Sequence, residues 1–322
     1  MVRALERFQL SAPHMTITKP SDHPPVRAPK VGVLLLNLGT PDGTDYWSMR
    51  RYLSEFLSDR RVIESPGPLM WQLILQGPIL ATRPQKSGAN YDRIWDREAG
   101  DSPLRVIARR QAEKLQTRLG DGVVVDFAMR YGNPSTASRI EALQQMRWQP
   151  AVRTLPPYYA EPAYVEALAQ SIADGVAALD FEPDLVVTSY HGMPKEYLLK
   201  GDPYHCQCLV TTRLVRERLG WPEDRLMVTF QSRFGGGEWL QPYTDATLEK
   251  LGAAKKKIAV CAPAFSVDCI ETLEEIAITG REQFEHAGGE GKHYAYIPCL
   301  NDTDGGMAML EAVVRTELAG WI

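Results

Sequence analysis

The sequence predicts an α/β protein with parallel sheets arranged in two similar domains. Three observations carry this. The first core segment, Val31 to Leu36, is a continuous aliphatic run, apolar on both faces as a strand inside a parallel sheet must be. Strand-like and helix-like stretches then alternate to the end of the chain. Each strand-like run also ends in polar or glycine-containing residues before the next helix, the pattern of βα units.

The elements follow in order. Residues 1–29 carry Pro13, Pro20, Pro24, Pro25 and Pro29 among scattered charges, which suits a disordered tail. The strand from Val31 runs into Asn37-Leu38-Gly39-Thr40-Pro41, a turn at its carboxyl end. Helices are expected over 45–58, 68–81, 86–96 and 103–119, strands over 123–129 and 151–155, and a helix over 135–148 between them. The second half repeats the grammar. Helices over 161–179, 206–219, 242–251, 268–286 and 304–318 alternate with strands over 184–189, 226–230, 257–261 and 294–297. The expected division is a tail (1–29), an N-terminal domain (30–160) and a C-terminal domain (161–322).

Composition narrows the function. The chain has 322 residues with 36 Lys and Arg against 40 Asp and Glu, a net charge of −4. A protein that binds nucleic acid by neutralising phosphates needs a basic surplus or stripe, and the longest basic run is Lys255-Lys256-Lys257. Five cysteines, odd in number and without disulfide-framework spacing, fit a reducing compartment. No stretch reaches the ~18 apolar residues of a spanning helix, and Arg3, Glu6 and Arg7 interrupt any leader-like run. A cytoplasmic protein is expected. The apolar stretch 66–83, with Trp71, Leu73, Ile74, Leu75, Ile79 and Leu80, is too short to span. It reads either as a buried helix pair or as an exposed lip that borders a lipophilic ligand or rests peripherally on the inner membrane face.

In parallel sheets ligands bind beyond the carboxyl ends of the strands, so chemistry is sought there. None of these loops is a GxGxxG or a P-loop. His191 follows a strand in Ser189-Tyr190-His191-Gly192-Met193-Pro194; it is either satisfied by a loop carbonyl or a neutral imidazole able to take protons or hold a metal. Asp268, Glu271 and Glu275 fall at i, i+3, i+7 on one helical side. The alternatives for them are a capping box formed by Asp268 and Glu271, a solvated face, or an acidic ladder for a divalent cation. Cys206-Gln207-Cys208 is too tight for a zinc ribbon; an iron–sulfur cluster is conceivable but not indicated. Trp239, after three glycines, suggests a flat apolar ligand.

Five ordered motifs together resemble the ferrochelatase family: Leu36-Asn37-Leu38-Gly39-Thr40-Pro41; Ser189 to Pro194; Gly201-Asp202-Pro203-Tyr204; Gln231-Ser232-Arg233 through Trp239-Leu240; and Asp268-Cys269-Ile270-Glu271-Thr272-Leu273-Glu274-Glu275. The resemblance runs from about residue 30 to the end and is bacterial in style. It implies two chelatase-like domains with four-stranded parallel sheets, and insertion of Fe2+ into protoporphyrin IX to give protohaem. By resemblance His191 and Glu271 are the catalytic pair and Glu275 joins them on the metal. Leu38, Tyr91, Ser102, Arg130, Tyr131 and Trp239 match porphyrin-binding positions, and 66–83 matches the family's apolar lip. Within the fold, a chelatase for another divalent metal is the alternative; from another class, a porphyrin-binding protein without insertion.

The chain departs from the family in three places. Cys269 stands where some members have histidine, and Thr279 occupies the next step of the acidic ladder. After Leu143 the family's further strand, Tyr-Pro-x-Tyr loop and helix are missing, so the first domain is expected to lack one strand and a wall of its cleft.

Overall fold

The computed structural model describes residues 22, 30–64, 67–143, 151–234 and 236–322, so the expected tail, 1–29, lies outside the described residues except for Asp22. Residues Val31–Ile322 form one compact body built around two parallel sheets.

The first sheet pairs β1 (Val31–Thr40) with β2 (Val123–Gly132) in parallel register from Val31↔Val123 to Thr40↔Gly132. Between them run α1 (Tyr46–Ser58), α2 (Pro68–Ile74), α3 (Leu80–Ile94) and α4 (Pro103–Leu119). The odd-numbered residues of the strands, Leu35, Val125, Phe127 and Met129, pack on Leu104, Ile107, Ala108 and Ala112 of α4. The opposite face is thinly covered. Helix α5 (Thr136–Leu143) lays Leu143 beside Gly32, while Leu36 is 61% and Leu38 50% exposed.

The second sheet is complete, with order β4-β3-β5-β6 and every pairing parallel. It comprises β3 (Leu185–His191), β4 (Leu226–Gln231), β5 (Ile258–Cys261) and β6 (Tyr294–Tyr296). Around it lie α6 (Pro162–Ala177), α7 (Lys195–Leu199), α8 (Tyr204–Leu219), α9 (Thr244–Ala253), α10 (Arg281–His286) and α11 (Asp304–Leu318). One face buries Val186 and Ala259 under Leu168, Ile172, Val215, Met309 and Val313. The other buries Val187 and Val260 under Leu248, Ile276 and Phe284. Two-sided cover explains why these strands read as unbroken apolar runs. The first and last thirds of the chain are stitched together where α4 meets α11. Gln111 donates to the Asn301 carbonyl (2.8 Å), Lys114 pairs with Asp302 (2.8 Å), Arg118 pairs with Glu311 (3.1 Å), and Arg315 donates to the Arg118 carbonyl (2.9 Å).

Several expectations are corrected. Residues 151–155 are no strand: Val152 and Leu155 are exposed, and no strand among the described residues pairs with them. The first sheet therefore shows two strands among the described residues, fewer than a four-stranded domain short of one. The expected helix 135–148 is helical to Leu143, and 144–150 lie outside the described residues. The helix expected over 68–81 breaks into α2 and a π-helical turn, Leu75–Ile79, around non-helical Gly77 and Pro78; α3 then runs on through Pro84. Proline removes an N–H from the ladder, which accounts for the local widening. The expected helix 268–286 begins as an eleven-residue π-helix, Ile270–Gly280, and becomes α-helical only in α10. Helix α7 was not anticipated. Finally, the stretch 66–83 divides: α2 has no buried residue, with Leu69 and Leu73 78% and 65% exposed, whereas Leu75 and Leu80 are fully buried.

Candidate active site

His191 is the last residue of β3, in register with Gln231 at the end of β4. Its Nδ1 lies 2.7 Å from the Gly192 carbonyl oxygen. A carbonyl only accepts, so Nδ1 carries the hydrogen and Nε2 keeps the basic lone pair. The backbone around it is held by Tyr204, whose hydroxyl donates to the His191 carbonyl (3.0 Å), and by the Gly192 N–H, which donates to the Gln231 carbonyl (2.7 Å). A Cβ at Gly192 would sit 2.5 Å from that oxygen, so only glycine permits the approach.

The β4 loop ties this strand end to the π-helix. Ser189 donates to the Gln231 side-chain oxygen (2.6 Å), and the Gln231 amide donates to the Glu271 carbonyl (2.7 Å). Ser232, at φ 63°, aims both its N–H (2.7 Å) and its hydroxyl (2.6 Å) at the Glu275 carboxylate. A left-handed serine is uncommon and persists where its surroundings fix it. Burial nevertheless pushes Glu275 above the ordinary carboxyl range; the Glu271 charge adds to this, while Ser232 and His191 oppose it. The charge on Glu271 also contributes to raising the neighbouring Tyr52, Tyr91 and Cys269, for which burial is the larger cause. His191, Glu271 and Glu275 thus share one electrostatic neighbourhood. A cavity of about 420 Å3 opens beside Glu275, lined by Ser232, Arg233, Tyr243, Asp245 and Thr279; it does not reach His191 or Glu271.

The capping alternative for Glu271 fails. The helix is capped from Cys269, whose N–H donates to the Thr272 hydroxyl (3.0 Å). Asp268 leaves the ladder altogether: it is buried and accepts from Thr272 (2.9 Å), Tyr296 (2.7 Å) and Asn301 (2.6 Å). It organises the core beside β6, which leaves Glu271 and Glu275 as the members of the acidic series outside that network.

The porphyrin-matching residues divide. Leu38 is half exposed at the carboxyl end of β1. Arg130 pairs with Asp59 (2.9 Å), and the Tyr131 hydroxyl donates to the same carboxylate (3.0 Å). Bonds from the Arg61 N–H and from Arg130 hold the Asp59 carboxyl down to about 2. Tyr91 is buried against Tyr52, with ring centroids 6.4 Å apart. Trp239 is 6% exposed and packs on Phe234 and against Gly192, so its ring is covered in this structure. Ser102 is 1% exposed and caps α4, accepting from the Arg105 N–H. Among the described residues no group of three or more His, Cys, Asp or Glu forms a metal-holding cluster. Burial pushes the Cys208 and Cys261 thiols up to about 12, which suits inert cysteines.

Sequence reasoning quoted Gln231 and Ser232 as parts of a motif but gave them no task. Their polarity straight after a buried strand was the available signal.

Comparison with known proteins decides the family. The ferrochelatase family model matches residues 30–147 and 140–318. The chain belongs to the ferrochelatase family. The ferrochelatase of Mesorhizobium japonicum is 56% identical over 93% of this chain and 94% of the relative, and that of Allorhizobium ampelinum 55% identical over 94% and 98%. The ferrochelatase of Rhodobacter capsulatus is 54% identical over 94% and 97%. The two stretches matched to the ferrochelatase model overlap at 140–147, where the expected unit is missing. The Mesorhizobium alignment spans 336 positions yet covers 93% of 322 residues, about 299, so about 37 positions of that ferrochelatase face no residue here. That is the size of one strand, loop and helix. Among the described residues no helix is long and apolar enough to cross a membrane.

Proposed function

We propose that His191, Glu271 and Glu275 carry the metal-insertion step of this enzyme, with His191 as proton acceptor. The chain is a ferro-lyase of haem biosynthesis: Fe2+ and protoporphyrin IX are the substrates, and protohaem and two protons the products. Insertion replaces two pyrrole N–H bonds by iron–nitrogen bonds with no change of oxidation state, so the protein must bend the macrocycle, accept two protons and deliver a dehydrated cation. His191 Nε2, free because Nδ1 is committed to the Gly192 carbonyl, takes a pyrrole proton; this single observation carries the reading. Glu271 and Glu275 supply the hard oxygen donors that hold and pass on Fe2+ and that move protons away from the macrocycle.

Around the pair, Leu38 and Arg130 with Tyr131 line the porphyrin side from the first sheet, and Trp239 fixes the His191 loop from below. The two sheets correspond to two chelatase-like domains meeting near residue 160. Leu69, Met70 and Leu73, all exposed, make the lip that seats the macrocycle and rests on a membrane surface, with Arg83 and Lys86 near anionic groups.

The test is insertion of Fe2+ and Zn2+ followed alongside spectral titration with protoporphyrin. His191→Ala is expected to bind porphyrin, to keep its melting temperature and to lose insertion by about 10²- to 10⁴-fold. Wild-type turnover in that variant would remove His191 from its role. Porphyrin binding without insertion by the unaltered chain would favour a binding protein.

A further inference from the structure

The π-helix that carries Glu271 and Glu275 is braced at both ends by the structure that forms the lip. At its start Ile270 packs into the cluster of Leu75, Leu80, Tyr91 and Tyr131, together with Trp71 and Ile79 at the root of the lip. Towards its end a single side chain does the work. Arg93, near the end of α3, places Nη1 2.8 Å from Glu274 and Nη2 2.5 Å from Glu282, with the Thr279 hydroxyl 3.5 Å away. Thr279 in turn donates to Glu274 (3.0 Å).

Two features set this apart from an ordinary surface ion pair. The Glu274 side chain is 9% exposed and is bonded by Arg93; a contact so buried fixes the geometry of both side chains, and removing one partner leaves the other without it. Glu274 also lies between Glu271 and Glu275 on a helix whose i→i+5 bonding departs from α geometry. Its orientation is therefore part of how the two ladder carboxylates are presented. Arg93 belongs to the helix that continues back through Leu80 into the lip.

We infer that Arg93 is a positioning residue for metal insertion: by clamping Glu274 and Glu282 it fixes the π-helix against α3, so that the lip seating the porphyrin and the carboxylates facing the metal hold one geometry. The inference rests on the roles proposed for Glu271 and Glu275. Thr279, where the family's ladder continues, here completes the clamp instead of supplying a further carboxylate. The guanidinium touches no substrate; it acts through the helix.

The test compares Arg93→Ala, Arg93→Lys and, as a control for loss of an exposed pair on the same segment, Arg97→Ala, whose partner is Asp92. Arg93→Ala is expected to lower kcat for Zn2+ insertion by about 10- to 100-fold, with the porphyrin dissociation constant unchanged within about twofold. Arg93→Lys should restore most of the loss, and Arg97→Ala should match wild type. Hydrogen exchange gives a readout that needs no turnover: amides of 270–282 should exchange faster in Arg93→Ala, while those of β5 stay protected. Unchanged kcat with unchanged exchange overturns the proposal. So does a parallel loss of kcat, porphyrin binding and melting temperature that Lys does not repair, because that marks general destabilisation. Glu271→Gln measured in the same assay separates the two levels. If it keeps full activity the ladder reading fails, whereas the exchange result still decides whether Arg93 clamps the helix.

Discussion

The two sheets differ in completeness, and the difference falls along a division of labour. β3 has a hydrogen-bonded strand on each side and helices over both faces; among the described residues β1 has one partner strand and an open face at Leu36 and Leu38. The groups proposed for proton and metal handling all hang on the complete sheet or on the π-helix packed against it. Those proposed for the porphyrin on the first sheet are Leu38, Arg130 and Tyr131. About 37 positions of the Mesorhizobium relative face no residue here, and the two stretches matched to the family model meet at 140–147, after the first sheet's strands and before β3. An α/β scaffold tolerates such a gap because its reactive side chains sit at strand ends, held by local hydrogen bonds and not by the distant edge of a neighbouring sheet.

The strongest way to break this division is within the complete half. Glu271→Gln is expected to cut insertion by about 10²-fold or more, and more than Glu275→Gln, since the cap belongs to Cys269 and Thr272 and the amide removes charge alone. Equal melting temperatures with lost turnover would confirm this; a loss of stability with retained turnover would overturn it. Next comes the contrast between the sheets themselves. By hydrogen exchange, β1 amides should exchange about 10²-fold or more faster than those of β3, because local opening of a strand paired on one side disrupts fewer buried contacts. Equal protection would mean that the open edge is covered in solution.

A graft sharpens the point. Inserting the strand, Tyr-Pro-x-Tyr loop and helix of a full-length relative between Leu143 and Gln144 should tighten porphyrin binding by about tenfold, roughly 1.4 kcal/mol. Unaltered affinity, measured by fluorescence titration, would show that wall to be dispensable. The smallest effect separates scaffold from site on the first half. Ser102→Ala should cost about 1 kcal/mol of stability through the lost cap of α4 and leave porphyrin affinity unchanged. An affinity loss with unchanged stability would instead put the hydroxyl on the substrate.

Strand and helix order was legible because it rests on short-range patterning: Leu185–Val187 announces a buried parallel strand by being apolar on both faces, and Val31–Leu36 reads the same although Leu36 stands exposed. The segment 151–155 was expected to be a strand, but a strand exists only when another strand lies beside it, and that is a tertiary fact. The apolar spacing of 268–286 fits a π-helix as well as an α-helix; of the alternatives open for Asp268, the ladder is excluded because it precedes the helix and is bonded by Thr272, Tyr296 and Asn301, partners that only folding brings to it. Trp239 was legible from the glycines before it and Tyr91 only from the family resemblance; that both rings are buried was not legible. His191 was the reverse case. Its place at a strand end was plain from the sequence, yet its free Nε2 follows from a carbonyl one residue away that only folding brings to its ring.

The stitching of α4 to α11 bears on how the protein is made. The partners of Gln111, Lys114 and Arg118 are Asn301, Asp302 and Glu311, close to the carboxyl end. During synthesis these polar groups of the first half must wait for residues 301–311 to leave the ribosome, at about 5–20 residues per second. The early half therefore emerges with one flank unsealed and closes it only when α11 follows. A stop codon ahead of α11 would leave that flank permanently exposed, so a shortened product would reach the quality-control machinery as a target even though His191, Glu271 and Glu275 had all been translated.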